Sequence, residues 1–356
     1  MRLTIRQMIK LMSVGLMSLA VLSCSKGESN QEYQKPVEFS GYTARSVTKA
    51  GASFATGTEL PAGQPFGVYA YNTGRRTDFK SNPDTIATYG KFMTNVPVTY
   101  NGEGASVPTN YPYVYRYWPN DETNNHLAFF AYYPHGTGYG ITQTGFADFT
   151  FTVQSLPENQ VDFMISDVVP GKVYSNTNPT GVVPLSFYHM LTQIRFKGKT
   201  DAPSGVTVKI KELKLIGVKG TGVLKPSVTA TGSTWPKTSL SGDMTFTITT
   251  NGENLTSTAA PIADDNQTLL MIPQELGDNV MLSIKYEIKT TVPNRTITET
   301  AEFTLNTAKD TSGEPITEWV RNNQFVYTLN IGLNVIEIKA SALDWVDNGE
   351  YTISIE

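Results

Sequence analysis

Leu127-Ala-Phe-Phe-Ala-Tyr-Tyr133 is an unbroken apolar run, closed by Pro134. A run without polar alternation predicts a strand buried on both faces. Its surroundings repeat the grammar of short strands and turns. Upstream, Phe66-Gly-Val-Tyr-Ala-Tyr71 is compact and aromatic, Gly74–Asp84 is polar and loop-like, and Phe92–Tyr100 alternates loosely before the turn signal Asn101-Gly102. Tyr111–Trp118 is dense in aromatics. Downstream, Phe146–Val153 alternates clearly, and Asp162-Phe-Met-Ile-Ser-Asp167 runs to Pro170-Gly171.

The second half reads the same way. Val182–Lys197 and Val206–Val218 are strand-like, the latter with Val208, Ile210, Leu213 and Leu215 as inward positions. Met244–Thr250, Thr268–Ile272, Val280–Ile288, Arg295–Leu305, Gln324–Gly332, Asn334–Ala340 and Tyr351–Glu356 follow. No long helical periodicity appears, and Glu314–Asn323 is the stretch that suits one helical turn or two. Strands at this spacing predict an all-β chain of β-sandwiches. The polar, Pro/Gly-punctuated segment 175–183 divides it into an N-terminal domain, 46–182, and a C-terminal domain, 183–356.

The first 24 residues have a different character. Arg2, Arg6 and Lys10 precede an apolar run from Leu11 to Leu22, with Ser23 before Cys24. A span of the bilayer needs roughly twenty apolar residues, so this shorter run has the layout of a secretory signal. Val21-Leu22-Ser23-Cys24 resembles the bacterial lipobox, in which the cysteine thiol is acylated and becomes the first residue after cleavage. An ordinary signal peptide with a chance cysteine is the alternative. Cys24 is the chain's single cysteine, so no intramolecular disulfide forms.

Without residues 1–23, 333 of the 356 residues remain, and loss of three cations takes the formal charge from −4 to −7. That balance excludes the basic footprint of a nucleic-acid binder and an electrostatic hold on anionic lipid. Charged residues are 17%, below the roughly 25% of an average soluble protein. Thr, Asn, Ser and Gly supply the polarity. With 18 Tyr and 16 Phe, the composition suits half-buried pleated surfaces. After the signal, 24–45 holds a polar tether and a short strand in which Val37, Phe39 and Gly41 alternate with Glu38 and Ser40. Small and polar residues around Arg45 and Lys49 make the next segment an accessible place for proteolysis.

Catalytic constellations are not evident. His126, His135 and His189 show no metal-ligand spacing, and His189, inside an apolar strand pattern, reads as a hydrogen-bonded structural histidine. No nucleophile elbow, phosphate loop or dinucleotide fingerprint occurs. Asp264-Asp265 and Asp344/Asp347 read as solvated turn residues, and Trp118, Trp235, Trp319 and Trp345 as core or edge packing rather than sugar platforms. The expectation is a non-enzyme without cofactor or metal.

Taken in order with the lipobox, a set of phrases resembles the fimbrillin family, subunits of type V pili in Gram-negative anaerobes. They are Phe66–Tyr71, Tyr117-Trp-Pro119, Leu127–Pro134, Asp162–Ser166, Val183-Pro-Leu-Ser-Phe-Tyr-His-Met-Leu-Thr192, Leu269-Leu-Met-Ile-Pro273 and Asn323-Gln-Phe-Val-Tyr-Thr-Leu329. The resemblance implies two tandem, transthyretin-like sandwich domains. It also implies export to the outer-membrane surface as a lipoprotein acylated at Cys24. A trypsin-like protease then cuts after a basic residue and removes the lipidated N-terminus with the first strand. On this sequence Arg45–Ser46 is the best match to the cut and Lys49–Ala50 the second, and the strand lost carries Val37 and Phe39. Other pilus subunits are the implied partners, each filling the groove with a strand, so that an extracellular fimbrium grows and contributes to adhesion.

At the C-terminus, Tyr351, Ile353 and Ile355 alternate with polar residues. Burying them contributes roughly 2 kcal/mol each. A strand pattern serves equally to donate to a neighbour or to close its own sheet. Stalk, anchor and tip subunits share this outline, and a surface lipoprotein that binds glycan or host protein without polymerising is the competing reading.

Overall fold

In the computed structural model, the residues described are 35–43, 60, 63–99, 116–142, 145–174, 181–310, 312–333 and 336–344. Twenty strands dominate them. In the first half these are β1 (Glu38–Thr43), β2 (Pro65–Gly74), β3 (Gly90–Thr99), β4 (His126–Tyr133), β5 (Ile141–Thr142), β6 (Phe149–Thr152), β7 (Met164–Ser166), β8 (Val169–Lys172) and β9 (Val182–His189). Then come β10 (Thr192–Lys199), β11 (Val206–Leu224), β12 (Ser241–Ile248), β13 (Ala260–Pro261), β14 (Leu269–Met271), β15 (Gln274–Glu275), β16 (Met281–Thr291), β17 (Asn294–Thr304), β18 (Glu318–Trp319), β19 (Asn323–Ile331) and β20 (Ile336–Asp344). The all-β expectation holds.

Three sheets carry the architecture. The first has the order β1-β9-β7-β4-β2-β3, with β8 also on β4. The second runs β17-β16-β11-β6-β5 with β12 on β11, and the third β13-β10-β19-β20 with β14 on β10. The strand quoted at the outset, β4, lies inside the first sheet between β2 and β7. Every residue from Leu127 to Tyr133 is buried because both faces of this sheet are covered. Leu127, Phe129, Ala131 and Tyr133 enter one apolar cluster with Phe66, Val68 and Phe187. Ala128, Phe130 and Tyr132 enter a larger one that extends through the second and third sheets.

The 182–197 stretch breaks at Met190-Leu191: β9 stays in the first sheet and β10 starts the third. Conversely, β6 pairs with the far end of β11, Thr221–Leu224. The predicted inward set Val208, Ile210, Leu213 and Leu215 is buried, and a β-bulge between Ile210 and Glu212 accounts for its change of step.

Two local expectations are corrected. Glu314–Asn323 forms no helical turn. It contains β18, and Asn322, with φ of 59°, turns the chain into β19; Pro315 bridges back to Lys309, and Thr317 O accepts from Leu276 N across the sheet. The loop expected at Gly74–Asp84 runs into a one-turn helix, Pro83–Ile86. The Asn82 side chain accepts from Thr85 N at 2.8 Å and Pro83 supplies the preset φ of a first helical turn.

Candidate functional site

The alternation Val37-Glu-Phe-Ser-Gly41 puts its apolar members on one face, and the structure seats that face in the core. β1 runs parallel to β9 in six matched pairs, from Glu38↔Val182 to Thr43↔Phe187. Val37 and Phe39 are both fully buried, at 0% exposure. The Phe39 ring lies edge-on to Phe66, with centroids 6.4 Å apart, and to Phe129, at 5.7 Å. Phe66 in turn meets Phe187 at 5.5 Å. These edge-to-face pairs are favoured by the ring quadrupoles.

The start of this strand is held from its other side. Val37 N donates to Arg116 O at 2.8 Å and Trp118 N to Lys35 O at 3.0 Å. The buried Trp118 indole donates from Nε1 to Gly181 O at 3.2 Å and packs on Phe129 at 5.8 Å. Gly181 has φ +66°, and a Cβ there would stand 2.9 Å from that indole nitrogen, so glycine is required where chain 181 passes under Trp118. At the far end Gly41 lies under Leu60, whose Cδ1 would be 2.9 Å from an added Cβ. Lys35 Nζ and Glu38 Oε1, 3.8 Å apart, form an ion pair on the solvent side.

The seat is therefore apolar and closed, built by Leu60, Phe66, Trp118, Phe129, Val183 and Phe187 around Val37 and Phe39. It offers no acid, base or nucleophile. What it offers is a wall formed by one edge strand, β1. If β1 left, β9 would present unpaired backbone groups beside an apolar trough, a template for another strand.

Of the residues singled out in the sequence, Val37 and Phe39 sit in this seat. Cys24, Arg45, Ser46, Lys49, Ala50, Tyr351, Ile353 and Ile355 lie outside the described residues, as do Trp345 and Asp347. Of the seat's walls, Trp118 is expected from the sequence as packing, and Phe66, Phe129, Val183 and Phe187 lie within the strand-like phrases, but the sequence assigns none of them to this seat. The walls come from five separated stretches, and Leu60 is the one that no sequence pattern marked.

The remaining candidates resolve into packing. His189 Nδ1 stands 2.5 Å from Asp162 Oδ2, both groups buried, where β7 meets β9. Trp118 and Trp319 are buried, and Trp235 packs on Phe151 and Phe163. Trp319 Nε1 donates to the Tyr327 hydroxyl at 2.9 Å, and burial pushes that phenol well above its ordinary pKa. Asp264 and Asp265 are exposed, the latter 3.7 Å from Arg195 Nη2. Among the described residues no group of three His, Cys, Asp or Glu side chains converges as a metal site.

Known proteins match the chain in sequence and in fold. The sequence profile of the fimbrillin-like family matches residues 53–345. Fimbrium subunit Fim1C of Phocaeicola vulgatus is 26% identical over 395 aligned residues, covering 98% of this chain and 99% of the relative. The crystal structure of a fimbrial protein from Bacteroides vulgatus ATCC 8482 shares the fold, with a TM-score of 0.58 at 21% identity, covering 87% of this chain and 99% of that one.

Proposed function

Because the chain belongs to the fimbrillin-like family, we propose that it is a structural subunit of a surface fimbrium, assembled by strand exchange after proteolysis. The precursor reaches the outer-membrane surface as a lipoprotein acylated at Cys24. A protease cuts after Arg45, or failing that after Lys49, and releases the lipidated piece together with β1. A strand from another subunit then occupies the seat. Tyr351–Glu356, with Tyr351, Ile353 and Ile355 on one face, is the candidate donor. The full-length match to a relative named as a fimbrium subunit supports the assignment.

The observation that carries the mechanism is the complete burial of Val37 and Phe39 in a strand bonded to β9. A loose N-terminal segment would open no gap on removal. This one would uncover two large apolar side-chain seats and an edge of six pairing positions.

The test treats lipid-free precursor with trypsin and resolves the products on a non-boiled gel. A ladder whose members start at Ser46 or Ala50 is expected, and truncation of Tyr351–Glu356 should abolish it. A clipped monomer that never ladders would instead favour a non-polymerising surface lipoprotein that binds glycan or host protein.

A further inference from the structure

The second sheet ends in a strand with nothing paired to its outer side among the described residues: β17, Asn294–Thr304. It follows β16 through eleven consecutive pairs without a register shift, and contains no proline or glycine. Seven of its eleven residues are exposed, Ile297, Ala301, Phe303 and Thr304 being half-buried, and Val292 at the hairpin tip is 90% exposed. Several other sheet edges are blunted. β3 carries Pro97, the left-handed Asn95 at φ 51° and shifts in register. β5 and β13 are two residues long, and Ala340 of β20 bonds Lys309 O. A long, regular edge is the kind that natural sheets usually protect.

The sequence of this edge is complementary to itself. In an antiparallel pair, opposed residues point to the same face. Two copies of one strand related by a two-fold axis therefore register about a residue. Centred on Ile297, Asn294-Arg-Thr-Ile-Thr-Glu-Thr300 places Arg295 opposite Glu299 twice, Thr296 opposite Thr298 twice, and Ile297 opposite its own copy. Arg295, Ile297 and Glu299 share the face that continues Tyr286 and Ile288 of β16. The Tyr286 hydroxyl donates to Glu299 Oε2 at 3.1 Å, which holds that carboxylate at the edge. Opposite charges, Thr–Thr pairs and β-branched contacts are the cross-strand pairs that stabilise a sheet.

We propose that β17 is a self-association surface, where a second copy of this chain adds its own β17 antiparallel about Ile297 and extends the second sheet across the two molecules. The interface is isologous. It is small, so single chains associate weakly. Subunits arrayed in a polymer would present many such edges at once, and the contact would then act laterally between polymers. It uses a different sheet from the seat of β1 and stands whether or not strand exchange occurs.

The test uses the full, uncut chain carrying Cys24→Ser. Ile297→Cys places two thiols across the axis, with Cα atoms about 4.5–5.5 Å apart, inside disulfide range. Mild oxidation should give a covalent dimer, whereas Thr300→Cys, which opposes Asn294, should stay monomeric. Sedimentation velocity over a concentration series should show a reversible dimer. Glu299→Arg or Arg295→Glu alone should weaken it about tenfold or more by facing like charges, and the double swap should restore it. The proposal is overturned if Ile297→Cys gives no more dimer than Thr300→Cys. It is equally overturned if the single reversals leave the dimer intact, or if the double swap fails to recover it in a chain whose circular dichroism is unchanged.

Discussion

Phe39 shows how much one side chain can decide. It is fully buried, edge-on to Phe66 and Phe129, on a strand paired through its length on one side only. Truncating such a ring costs about 3–5 kcal/mol. Phe39→Ala should therefore speed amide exchange of the peptide covering 38–43 by at least about a hundredfold, at roughly 1.4 kcal/mol per tenfold. An unchanged rate would mean the backbone ladder alone holds β1. Tyr327 makes a second prediction at this scale. Its phenol is buried and accepts from Trp319 Nε1, and burial raises its pKa above the ordinary value of 10.0. The neutral form is thus favoured in the fold. That stability is full below pH 10 and is lost as pH rises toward the folded-state value. Tyr71, raised by burial for the same reason, adds to the loss. The urea midpoint should fall above pH 10, and Tyr327→Phe should flatten part of that fall. The same substitution should cost about 1–3 kcal/mol at neutral pH, because the indole N–H loses its acceptor.

At the scale of elements, β4 was legible because seven apolar residues leave no solvent face to choose. β1 was legible from Val37, Phe39 and Gly41, since alternation over five residues is the signature of a one-sided strand. What sits over Phe39 was not, because Phe66, Phe129 and Phe187 are brought together only by the order β1-β9-β7-β4-β2, and Leu60 and Trp118 come from outside the strands. Sheet order is a long-range property that no local pattern encodes. The helix expected in Glu314–Asn323 failed for a related reason: local propensity is weak, and the pairing of Trp319 with Gln274 on β15 overrides it. β11 marks the boundary between the two cases. Its 19 residues keep one buried face only because bulges reset the alternation, one of them at Gly217. Gly217 has φ +78°, and a Cβ there would stand 2.1 Å from Asn279 O, a backbone atom. Gly217→Val should lower stability by at least about 1–3 kcal/mol, read as a lower urea midpoint. No loss would mean that the bulge can migrate along the strand.

The whole molecule raises a question that neither scale answers: why a strand so well seated would ever leave. In the uncut chain β1 is tethered to the rest, and a tether of this kind holds its strand at an effective concentration of order millimolar. A free strand at about 10 μM cannot compete against that. On the proposed mechanism, a cut after Arg45 would remove the tether without touching Val37 or Phe39, and β1 would become one ligand among others. Burial of Val37 and Phe39 contributes only about 4 kcal/mol between them, and association costs offset much of it. Such a cut would therefore convert a stable element into an exchangeable one. The consequence is measurable without knowing the natural donor. A labelled peptide with the sequence of residues 35–43 should enter the trypsin-clipped chain and displace the native strand, seen by native mass spectrometry as a change in the mass of the bound piece. It should not enter the intact chain at the same concentration, and a peptide carrying Phe39→Ala should enter neither. Equal uptake by cut and uncut chains would show that the tether is irrelevant. No uptake after cutting would show that the seat closes once it is emptied, and a fold that closes its own seat has nothing to offer a neighbouring subunit.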